Sequence, residues 1–570
     1  MQIPESLGRL SNMTALDLSH NNFIGEIPLS MQNLSKLIIL RLDENMLNGE
    51  IPTWLFNITT LQTLFIGGNR NKLTWNSKVA NIVPRCSLQH ISMRSCSISG
   101  QVPEWISSQK NMILLDLGQN NIEGGFPDFL VSGYKYLETI ILSENNLQEF
   151  IPPSLFENVK LRFLELSQNN FSGELPENIG NAKMLLQLIL SENQFSGQIP
   201  TSISRIETLT LLDLSRNKFS SDGCIPSFEG NSNLLFLDLS HNNLSGNIPT
   251  NFPKGIKFVN LGKNIFSGIL PWNLTKFVNL TVFDVHENNI TGNLHTTLPQ
   301  IPSLKFLILR NNSLQGYIPS NISNLVSLQT LDLSLNNLTE IIPREIGNLP
   351  GMINLTLNKY ITTSSPVSHS IIISNFVNLM PWNLIVRWKE SYQGLSNQNL
   401  GIYCLLDLSH NGLYGEIPPS LGNLKSLKLL NISHNKISGH IPVTVGDLEN
   451  IESLDLSHNE ISGSIPQSLV KLQQLESLDV SDNMLTGKIP RGPQMDTMTG
   501  FENNTGLCGI QIHVTCLEDI MPLKGGDEQD DEEQSWFSWE GAFVGLPVGF
   551  FSSFLIMGYF LDFLRLFKIW

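Results

Sequence analysis

The sequence predicts an α/β solenoid followed by one transmembrane helix: short parallel strands form a sheet on the concave face, and irregular or 3-10 segments form the convex side. Three observations support this fold class. A sequence unit recurs roughly every 24 residues, an asparagine recurs at one position of that unit, and a single uncharged apolar run near the C-terminal end is long enough to cross a bilayer.

The repeated unit reads LxxLxLxxNxLxGxIP, as in LLFLDLSHNNLSGNIP from Leu234, and is the pattern of a leucine-rich repeat. Cys96 and Tyr360 occupy the asparagine position in two further copies, so that we predict about 19 repeats in total. The asparagines at this position are Asn21, Asn45, Asn69, Asn120, Asn145, Asn169, Asn193, Asn217, Asn242, Asn264, Asn288, Asn312, Asn336, Asn411, Asn435, Asn459 and Asn483.

Each position of the unit has a predicted role in one coil of the solenoid. Because side chains alternate along a strand, Leu212 and Leu214 are expected in the core, while Leu211 and Asp213 are expected to face solvent. The asparagine amide can pair with turn backbone groups that burial would otherwise leave unpaired. Glycine permits the turn, and the proline ring keeps the outer segment extended. Coils stacked at ~4.8 Å give a concave face on the order of 90 Å long.

Composition excludes several classes of function. A chain of 570 residues is too long for one ordinary globular core, which agrees with a repeat array. The net charge of −16, from 35 basic and 51 acidic residues, disfavours nucleic acid as a partner. The sequence contains no phosphate-binding loop, no kinase motif, no metal-spaced Cys/His cluster and no nucleophile with a base, so we predict no enzyme activity, cofactor or metal.

The apolar run at 541–561 is the predicted transmembrane helix. It carries no charge, and at ~1.5 Å rise per residue a helix of this length spans the ~30 Å hydrocarbon core. Acidic residues precede it, whereas Arg565 and Lys568 follow it, and positive charge marks the cytoplasmic end. We therefore expect the repeats outside the cell and only a short tail inside it.

Several motifs extend the pattern beyond a generic repeat protein. They are SCSISGQVPEWISSQ from Ser95, VRWKESY from Val386, and IPRGPQ with GLCG between Ile489 and Gly509. With them the chain resembles the plant receptor-like proteins, a family that includes disease-resistance receptors. Its GxIP endings, which are typical of the plant repeat class, begin at Gly25, Gly197, Gly415 and Gly487.

The resemblance implies a domain organisation and a set of partners. The implied segments are repeats over 1–360 (about 15 after a partial first one), an island insertion over 361–402, four repeats over 403–490, a cap with a cysteine pair over 491–524, an acidic juxtamembrane segment over 525–540, the transmembrane helix over 541–561 and a cytoplasmic tail over 562–570. It implies a plasma-membrane location and a Cys508–Cys516 disulfide. It also implies a co-receptor kinase bound by the last four repeats.

The transmembrane helix carries a candidate docking face. Gly541, Gly545 and Gly549 recur every four residues, so that they line one side of the helix and permit close approach of a second helix. Similar receptors borrow an adaptor receptor-like kinase through such a face. The alternative is that glycine is simply common in membrane helices.

The chain starts with MQIPESLGRL, which is the tail half of a repeat. It lacks both the signal peptide and the cysteine-bearing N-terminal cap that the resembled family carries. We therefore expect that the natural start lies upstream, or that this is a shortened product.

One outward-facing position of the repeat is a candidate ligand surface. In seven consecutive coils it is apolar in all but one, and neighbouring side chains should lie ~4.8 Å apart, forming an exposed stripe. The alternative is that these residues only stabilise strand pairing. The stripe comprises Phe163, Gln187, Leu211, Phe236, Phe258, Val282 and Phe306, with Glu165, Asp213, Asp238, Asp284, Lys257 and Lys305 as its polar rim.

The repeat period fails between about Ile361 and Gly401. Trp382, Trp388 and Tyr392, interleaved with basic residues, suggest an ordered element packed on the solenoid. In similar receptors the island helps to capture ligand, and the resemblance assigns that role here to Trp388, Lys389 and Tyr392. The alternative is an inert packed insertion.

His410, His434 and His458 share the eighth repeat position in three consecutive coils and should therefore stack. A stack of imidazoles could sense pH or bind a metal. Ordinary repeat variation is the alternative, since His20 and His241 fill the same position alone. Cys86, Cys96, Cys224 and Cys404 have no assigned pairing; for Cys96 the choice lies between a buried thiol and a disulfide to Cys86.

Asn-x-Ser/Thr acceptor triplets for N-glycosylation occur along the whole repeat region, as expected of an exterior domain. We expect Asn279 and Asn321 on the convex side, where a glycan would not obstruct binding. The acceptors are Asn12, Asn33, Asn57, Asn170, Asn243, Asn273, Asn279, Asn289, Asn311, Asn321, Asn337, Asn354, Asn431 and Asn503.

These features favour a kinase-less receptor that binds a peptide, protein or glycan ligand and acts in plant defence. The alternatives are an inhibitor-type protein that binds a pathogen enzyme, a receptor for a developmental peptide, and a non-functional truncated receptor. The membrane helix and the island disfavour the inhibitor.

Overall fold

The computed structural model describes residues 1–70, 72–75, 82–223, 225–294, 301–354, 383–388, 391–396 and 402–516. These residues belong to one unit, Met1–Cys516. Within these ranges no helix has both the length and the hydropathy of a membrane span. The predicted transmembrane helix, with Gly541, Gly545 and Gly549, lies outside the described residues.

An 18-stranded sheet lines the concave face, with one three-residue strand per coil, and each strand pairs in parallel with that of the next coil. The α/β solenoid predicted from the repeat is thereby confirmed. The concave strands are Ala15–Asp17, Ile39–Arg41, Thr63–Phe65, His90–Ser92, Leu114–Asp116, Thr139–Ile141, Phe163–Glu165, Gln187–Ile189, Leu211–Asp213, Phe236–Asp238, Phe258–Asn260, Val282–Asp284, Phe306–Ile308, Thr330–Asp332, Leu405–Asp407, Leu429–Asn431, Ser453–Asp455 and Ser477–Asp479.

A second set of short parallel strands follows the asparagine of each coil and forms smaller lateral sheets. These strands carry the LxGxI part of the unit. They are Ile24–Gly25, Met46–Leu47, Gly49–Glu50, Leu73–Thr74, Ser99–Gly100, Asn121–Gly124, Asn146–Glu149, Asn170–Glu174, Gln194–Gly197, Lys218–Phe219, Ser245–Asn247, Ile265–Ile269, Asn289–Asn293, Ser313–Gly316, Asn337–Leu338, Tyr414–Glu416, Lys436–Ser438, Ser462–Gly463, Met484–Lys488 and Gly506–Cys508.

The convex side consists mainly of 3-10 helices, and most of them follow a proline. Pro200, with φ −60° and ψ 132°, is held in the extended conformation by its ring and starts the helix Thr201–Arg205. The 3-10 helices are Glu5–Arg9, Leu29–Asn33, Thr53–Asn57, Glu104–Ser108, Pro153–Glu157, Ile179–Asn181, Thr201–Arg205, Trp272–Lys276, Ser320–Asn324, Arg344–Asn348, Pro419–Asn423, Val443–Asp447, Gln467–Lys471, Met495–Thr497 and Ile510–Ile512, and the short α-helices are Asp128–Ser132 and Pro350–Ile353.

The core runs continuously through the stacked coils. Leu212 and Leu214 are fully buried, as predicted. Phe171, Phe195 and Phe219 stack in successive coils, with 6.2 Å between ring centroids at each step. Each coil therefore buries its apolar face only against its neighbours, which is how a solenoid is stabilised.

The repeated asparagine forms the predicted hydrogen-bond ladder. The Nδ2 atom of Asn145 donates to the carbonyl oxygens of Leu117 and Leu142 at 3.0 and 3.1 Å, and its Oδ1 atom accepts from the Ile122 backbone N–H at 2.9 Å. Cys96 takes the same position in its coil as a buried free thiol, and burial raises the pKa of that thiol. The alternative disulfide between Cys86 and Cys96 is not formed.

Tyr360, where we predicted a further repeat, lies outside the described residues, but no further coil interrupts the concave sheet at this point. Strand Thr330–Asp332 pairs directly with Leu405–Asp407, and Asn411 bonds the turn of the preceding coil by accepting from Leu338 N–H at 3.0 Å. The ladder therefore passes from Asn336 straight to Asn411. A tyrosine has no carboxamide with which to join this ladder.

The insertion contains a β-hairpin formed by Asn383–Trp388 and Ser391–Ser396, which pair antiparallel. This confirms the ordered element predicted from its aromatic residues. At the C-terminal end, Cys508 and Cys516 form the disulfide that the family resemblance implied. Cys404 is a buried free thiol, and Cys224 lies outside the described residues.

Candidate functional site

The predicted stripe occupies one column of the concave sheet. The strand register places Phe236 opposite Phe258, Phe258 opposite Val282, and Val282 opposite Phe306. The rings of Phe236 and Phe258 are nearly parallel, at 7°, with centroids 4.0 Å apart. The one-per-coil spacing inferred from the repeat thus brings these side chains into direct contact.

The expected exposure of the stripe is wrong. The apolar members Phe163, Leu211, Phe258, Val282 and Phe306 are only 4–7% exposed, and the polar Gln187 is 3% exposed. Phe236 alone among the seven is partly exposed. Large side chains one strand spacing apart cover one another on a parallel sheet, so an outward direction does not by itself imply contact with water.

Part of the stripe belongs to a second apolar cluster, separate from the solenoid core, which we name the concave cluster. Phe236 and Tyr403 pack against it with partial exposure. Its buried members are Phe258, Val282, Phe306, Ile308, Val386, Leu405 and Leu429. The sequence analysis missed Leu405 and Leu429 because the insertion hid the continuity of the column, although both stand at the stripe position of their repeats.

The insertion contributes Val386 to this cluster, where it is 4% exposed. Of the residues to which we assigned ligand capture, Trp388 lies opposite Ser391 in the hairpin and Tyr392 lies opposite Arg387. Lys389 lies outside the described residues. Their role in ligand capture stays a prediction.

A column of carboxylates runs beside the stripe on the same strands. Asp238 lies opposite Asp213, and Asp407 lies opposite Asp332, in adjacent coils. Burial, together with the carboxylate of the neighbouring coil, raises the pKa of both Asp238 and Asp407 to about 7. The prediction of an exposed polar rim is therefore wrong for Asp238 and Asp284, which are buried, and holds for Lys257.

This column predicts that the protein becomes more stable on mild acidification. A carboxyl whose folded-state pKa is raised contributes stability below its unfolded pKa, near 4, and that stability is lost as pH rises through about 7. The free energy of unfolding should fall by up to about 1.4 kcal/mol per pH unit for each such carboxyl between pH 4 and 7. Asp407→Asn should flatten this slope, as measured by urea unfolding at several pH values.

Asp222→Asn provides the control for that measurement, because Asp222 is exposed. It should leave the pH dependence of the unfolding free energy unchanged. An equal slope in wild type and Asp407→Asn would contradict the assignment of raised pKa to the Asp407 carboxyl.

A buried charged group lies at one edge of the concave cluster. His286 Nδ1 is 2.7 Å from Asp284 Oδ1, and both side chains are buried. In the next coil Arg310, which is 2% exposed, donates from Nη2 to Glu287 Oε1 at 3.3 Å. Most coils carry a serine two residues after the aspartate position of the strand, as in LDLS. His286 and Arg310 stand at this serine position in their coils, and the sequence analysis did not single them out.

The three consecutive histidines stack as predicted. The ring centroids of His410 and His434, and of His434 and His458, are 4.0 Å apart. Their backbone φ angles are 52°, 53° and 52°, in the left-handed region that histidine adopts more readily than most residues. Across the described part of the chain, no three His, Cys, Asp or Glu side chains are arranged to hold a metal ion. The same conformation occurs at this position in coils that carry Glu44, Arg216 or Leu335, so it does not by itself explain the three histidines.

The glycosylation acceptors are exposed wherever their side chains are described, with one exception. Asn431 is 6% exposed in a concave strand, and its Oδ1 accepts from the Ser433 N–H and Oγ at 3.0 and 2.7 Å. Burial in this strand disfavours a glycan on Asn431, whose role as an acceptor stays a prediction. Asn321 lies in the convex helix Ser320–Asn324, as expected. The side chain of Asn273 is not among those described.

Family models of the leucine-rich repeat match several parts of the chain. The matched residues are 12–34, 87–109, 160–182, 206–226, 233–254, 303–325, 327–349, 404–461 and 440–485. Among characterised proteins, Receptor-like protein 46 of Arabidopsis thaliana is 52% identical over 316 residues, covering 52% of this chain and 38% of that protein. Receptor-like protein 34 of the same plant is 37% identical over 253 residues, covering 44% of this chain and 23% of that protein. The chain spans well under two thirds of the length of these relatives.

Solved structures of plant receptor ectodomains share the fold. The receptor kinase HAESA of Arabidopsis, in complex with the peptide hormone IDA and the co-receptor SERK1, is 29% identical with a TM-score of 0.60, over 89% of this chain and 80% of that one. HAESA with an N-terminally extended IDA peptide is 32% identical with a TM-score of 0.59, over 89% and 76%. The PEPR1–AtPEP1 complex, at 24% identity and a TM-score of 0.62 over 89% and 74%, shows the fold alone.

Proposed function

Since this chain is a plant leucine-rich repeat receptor-like protein, we propose that it is a kinase-less cell-surface receptor of plant defence. It binds a peptide, protein or glycan ligand on its concave sheet. It lies in the plasma membrane with its repeats outside the cell, and it passes the signal to an associated receptor kinase.

The concave cluster is the observation that carries this proposal. It is a group of large apolar side chains on the outward face of the sheet, distinct from the core that holds the coils together. Large apolar side chains that lie outside the core of a protein are common in binding surfaces. Phe236 remains partly exposed at the N-terminal edge of this cluster.

The buried polar side chains beside the cluster support a ligand-binding role. Asp284, His286 and Arg310 hold fixed polar groups next to Ile308 and Phe306, so that apolar and charged chemistry meet on adjacent strands. Such an arrangement gives affinity through the apolar contact and specificity through the polar one. Peptide ligands carry both kinds of group.

The coils 403–490 are the proposed docking surface of a co-receptor kinase. The structure of HAESA, which shares this fold, contains the co-receptor SERK1. In this chain the only glycosylation triplet of these coils is Asn431, which is buried. A surface free of glycans is suited to direct contact with another protein.

Signalling through an adaptor receptor-like kinase is tested at the proposed glycine face of the transmembrane helix. Replacing Gly541, Gly545 and Gly549 with leucine fills the groove that a second helix would enter, and should reduce co-purification of a receptor-like kinase from plant cells several-fold. Gly558→Leu is the control, because at ~100° per residue Gly558 falls on the opposite side of such a helix. Equal kinase recovery from both variants, with both retained in membranes, would contradict this part of the proposal.

A further inference from the structure

The hairpin of the insertion sits on the proposed ligand surface. Val386 is 4% exposed and shares one cluster with residues of five concave strands. A two-stranded hairpin cannot bury one of its own side chains without a partner surface. The burial of Val386 therefore results from contact with the concave sheet.

Only the first strand of the hairpin makes this contact among the side chains that the structure describes. Ser391, Gln393 and Gly394 of the return strand are exposed, although Gln393 lies directly opposite Val386. Among the described side chains, Val386 therefore makes the contact with the sheet, while those of the return strand face solvent.

The hairpin contacts the C-terminal part of the stripe. Phe258, Val282 and Phe306 lie in the cluster with Val386, whereas Phe163 and Leu211 do not. Phe236 stacks on Phe258 at the boundary and stays partly exposed. The stripe is therefore divided into a part that carries the hairpin and a part that does not.

We propose that the hairpin Asn383–Ser396 is an internal occupant of the ligand surface: a plug, held by Val386, that must leave before another apolar group can contact the concave cluster. This inference rests on the proposed function, because it takes the concave sheet as the ligand surface. The two strands of the hairpin pair only with each other. An isolated pair of strands is marginally stable, so the hairpin can separate from the concave sheet while the coils of the solenoid stay folded.

Hydroxyl-radical footprinting of the purified full chain, read by mass spectrometry, tests the plug. Val386→Asp places a charge in the apolar contact and should raise labelling of the Phe258 and Phe306 side chains at least threefold. Val443→Asp is the matched control, because Val443 is 70% exposed, and it should leave that labelling at the wild-type level. Phe195, which is fully buried in the solenoid core, should stay unlabelled in every variant and so reports that the coils remain folded.

Photo-crosslinking gives a second measurement that does not depend on the stability of a variant. With p-benzoylphenylalanine at position 386, crosslinks should form to peptides that contain Phe258, Val282, Phe306, Leu405 or Leu429. Crosslinks only to other peptides, or unchanged labelling of Phe258 and Phe306 in Val386→Asp while Phe195 stays protected, would overturn the plug. Those results would not contradict the proposed function, because the ligand response tests that function separately.

Discussion

Replacing Phe236 and Phe258 with serine is expected to abolish the ligand response while leaving the abundance of the receptor at the cell surface unchanged. The pair forms the stacked aromatic edge of the concave cluster, and Phe236 is the member that stays partly exposed. Removing two aromatic rings from a binding surface commonly costs several kcal/mol of affinity, about 2 kcal/mol or more at each hot-spot residue. The measurement is the oxidative burst of plant cells exposed to a microbial extract that activates the wild type.

Surface abundance should be preserved because the two rings belong to the concave cluster and not to the solenoid core. Phe236→Ser alone is the cleaner variant, since Phe258 also contributes to the seat of the hairpin. Phe150→Ser is its control: the chemical change is identical, and Phe150 is 60% exposed, away from the concave sheet. A normal oxidative burst from Phe236→Ser, or a reduction of the burst equal to that of Phe150→Ser, would show that the concave cluster is not the ligand site.

Asn145→Ala is expected to destabilise the repeat array by roughly 2–4 kcal/mol. The side chain is buried and bonds three backbone carbonyl oxygens and the Ile122 backbone N–H. Alanine leaves the buried Ile122 N–H without a partner, at about 1–3 kcal/mol. It also removes one of the two hydrogen bonds at each carbonyl oxygen, because Asn120, Asn169 and the Gln119 N–H still donate to these oxygens. Because each coil contacts only its neighbours, the change should appear as faster amide hydrogen exchange in the coils around residues 117–147.

Asn146→Ala is a closely matched control, because it is the same substitution at the next residue, whose side chain is exposed. Its effect on the unfolding free energy should stay within about 0.5 kcal/mol. Similar exchange rates in the two variants would show that the buried carboxamide does not hold the turns together.

The sequence predicts the fold well because one unit determines it repeatedly. Leu212 and Leu214 enter the core through strand alternation, and the carboxamide of Asn145 pairs with the backbone of its turn. The leucine spacing predicts an extra coil at Tyr360, whereas the asparagine ladder passes directly from Asn336 to Asn411. A long-range pairing between strands on either side of an insertion cannot be read from local spacing.

The candidate site is less predictable from the sequence. Strand alternation gives the direction of Phe258 and Phe306, but their burial depends on neighbouring coils and on the cluster that includes Val386, which is distant in sequence. In the same way, the pattern LDLS does not reveal that Asp407 lies opposite a second carboxylate, which raises its pKa. Such properties arise from contacts between coils, and a repeat motif describes only one coil.

The most direct test of the central proposal is whether the repeats reach the cell exterior. The protein, tagged at its C-terminal end at its own locus, is isolated from plant tissue and treated with a glycosidase that removes N-linked glycans. We expect a clear fall in apparent mass, a smaller fall for Asn279→Gln, and a fall equal to wild type for Asn431→Gln, because Asn279 is exposed and Asn431 is buried. An apparent mass that does not change on treatment would contradict the receptor assignment.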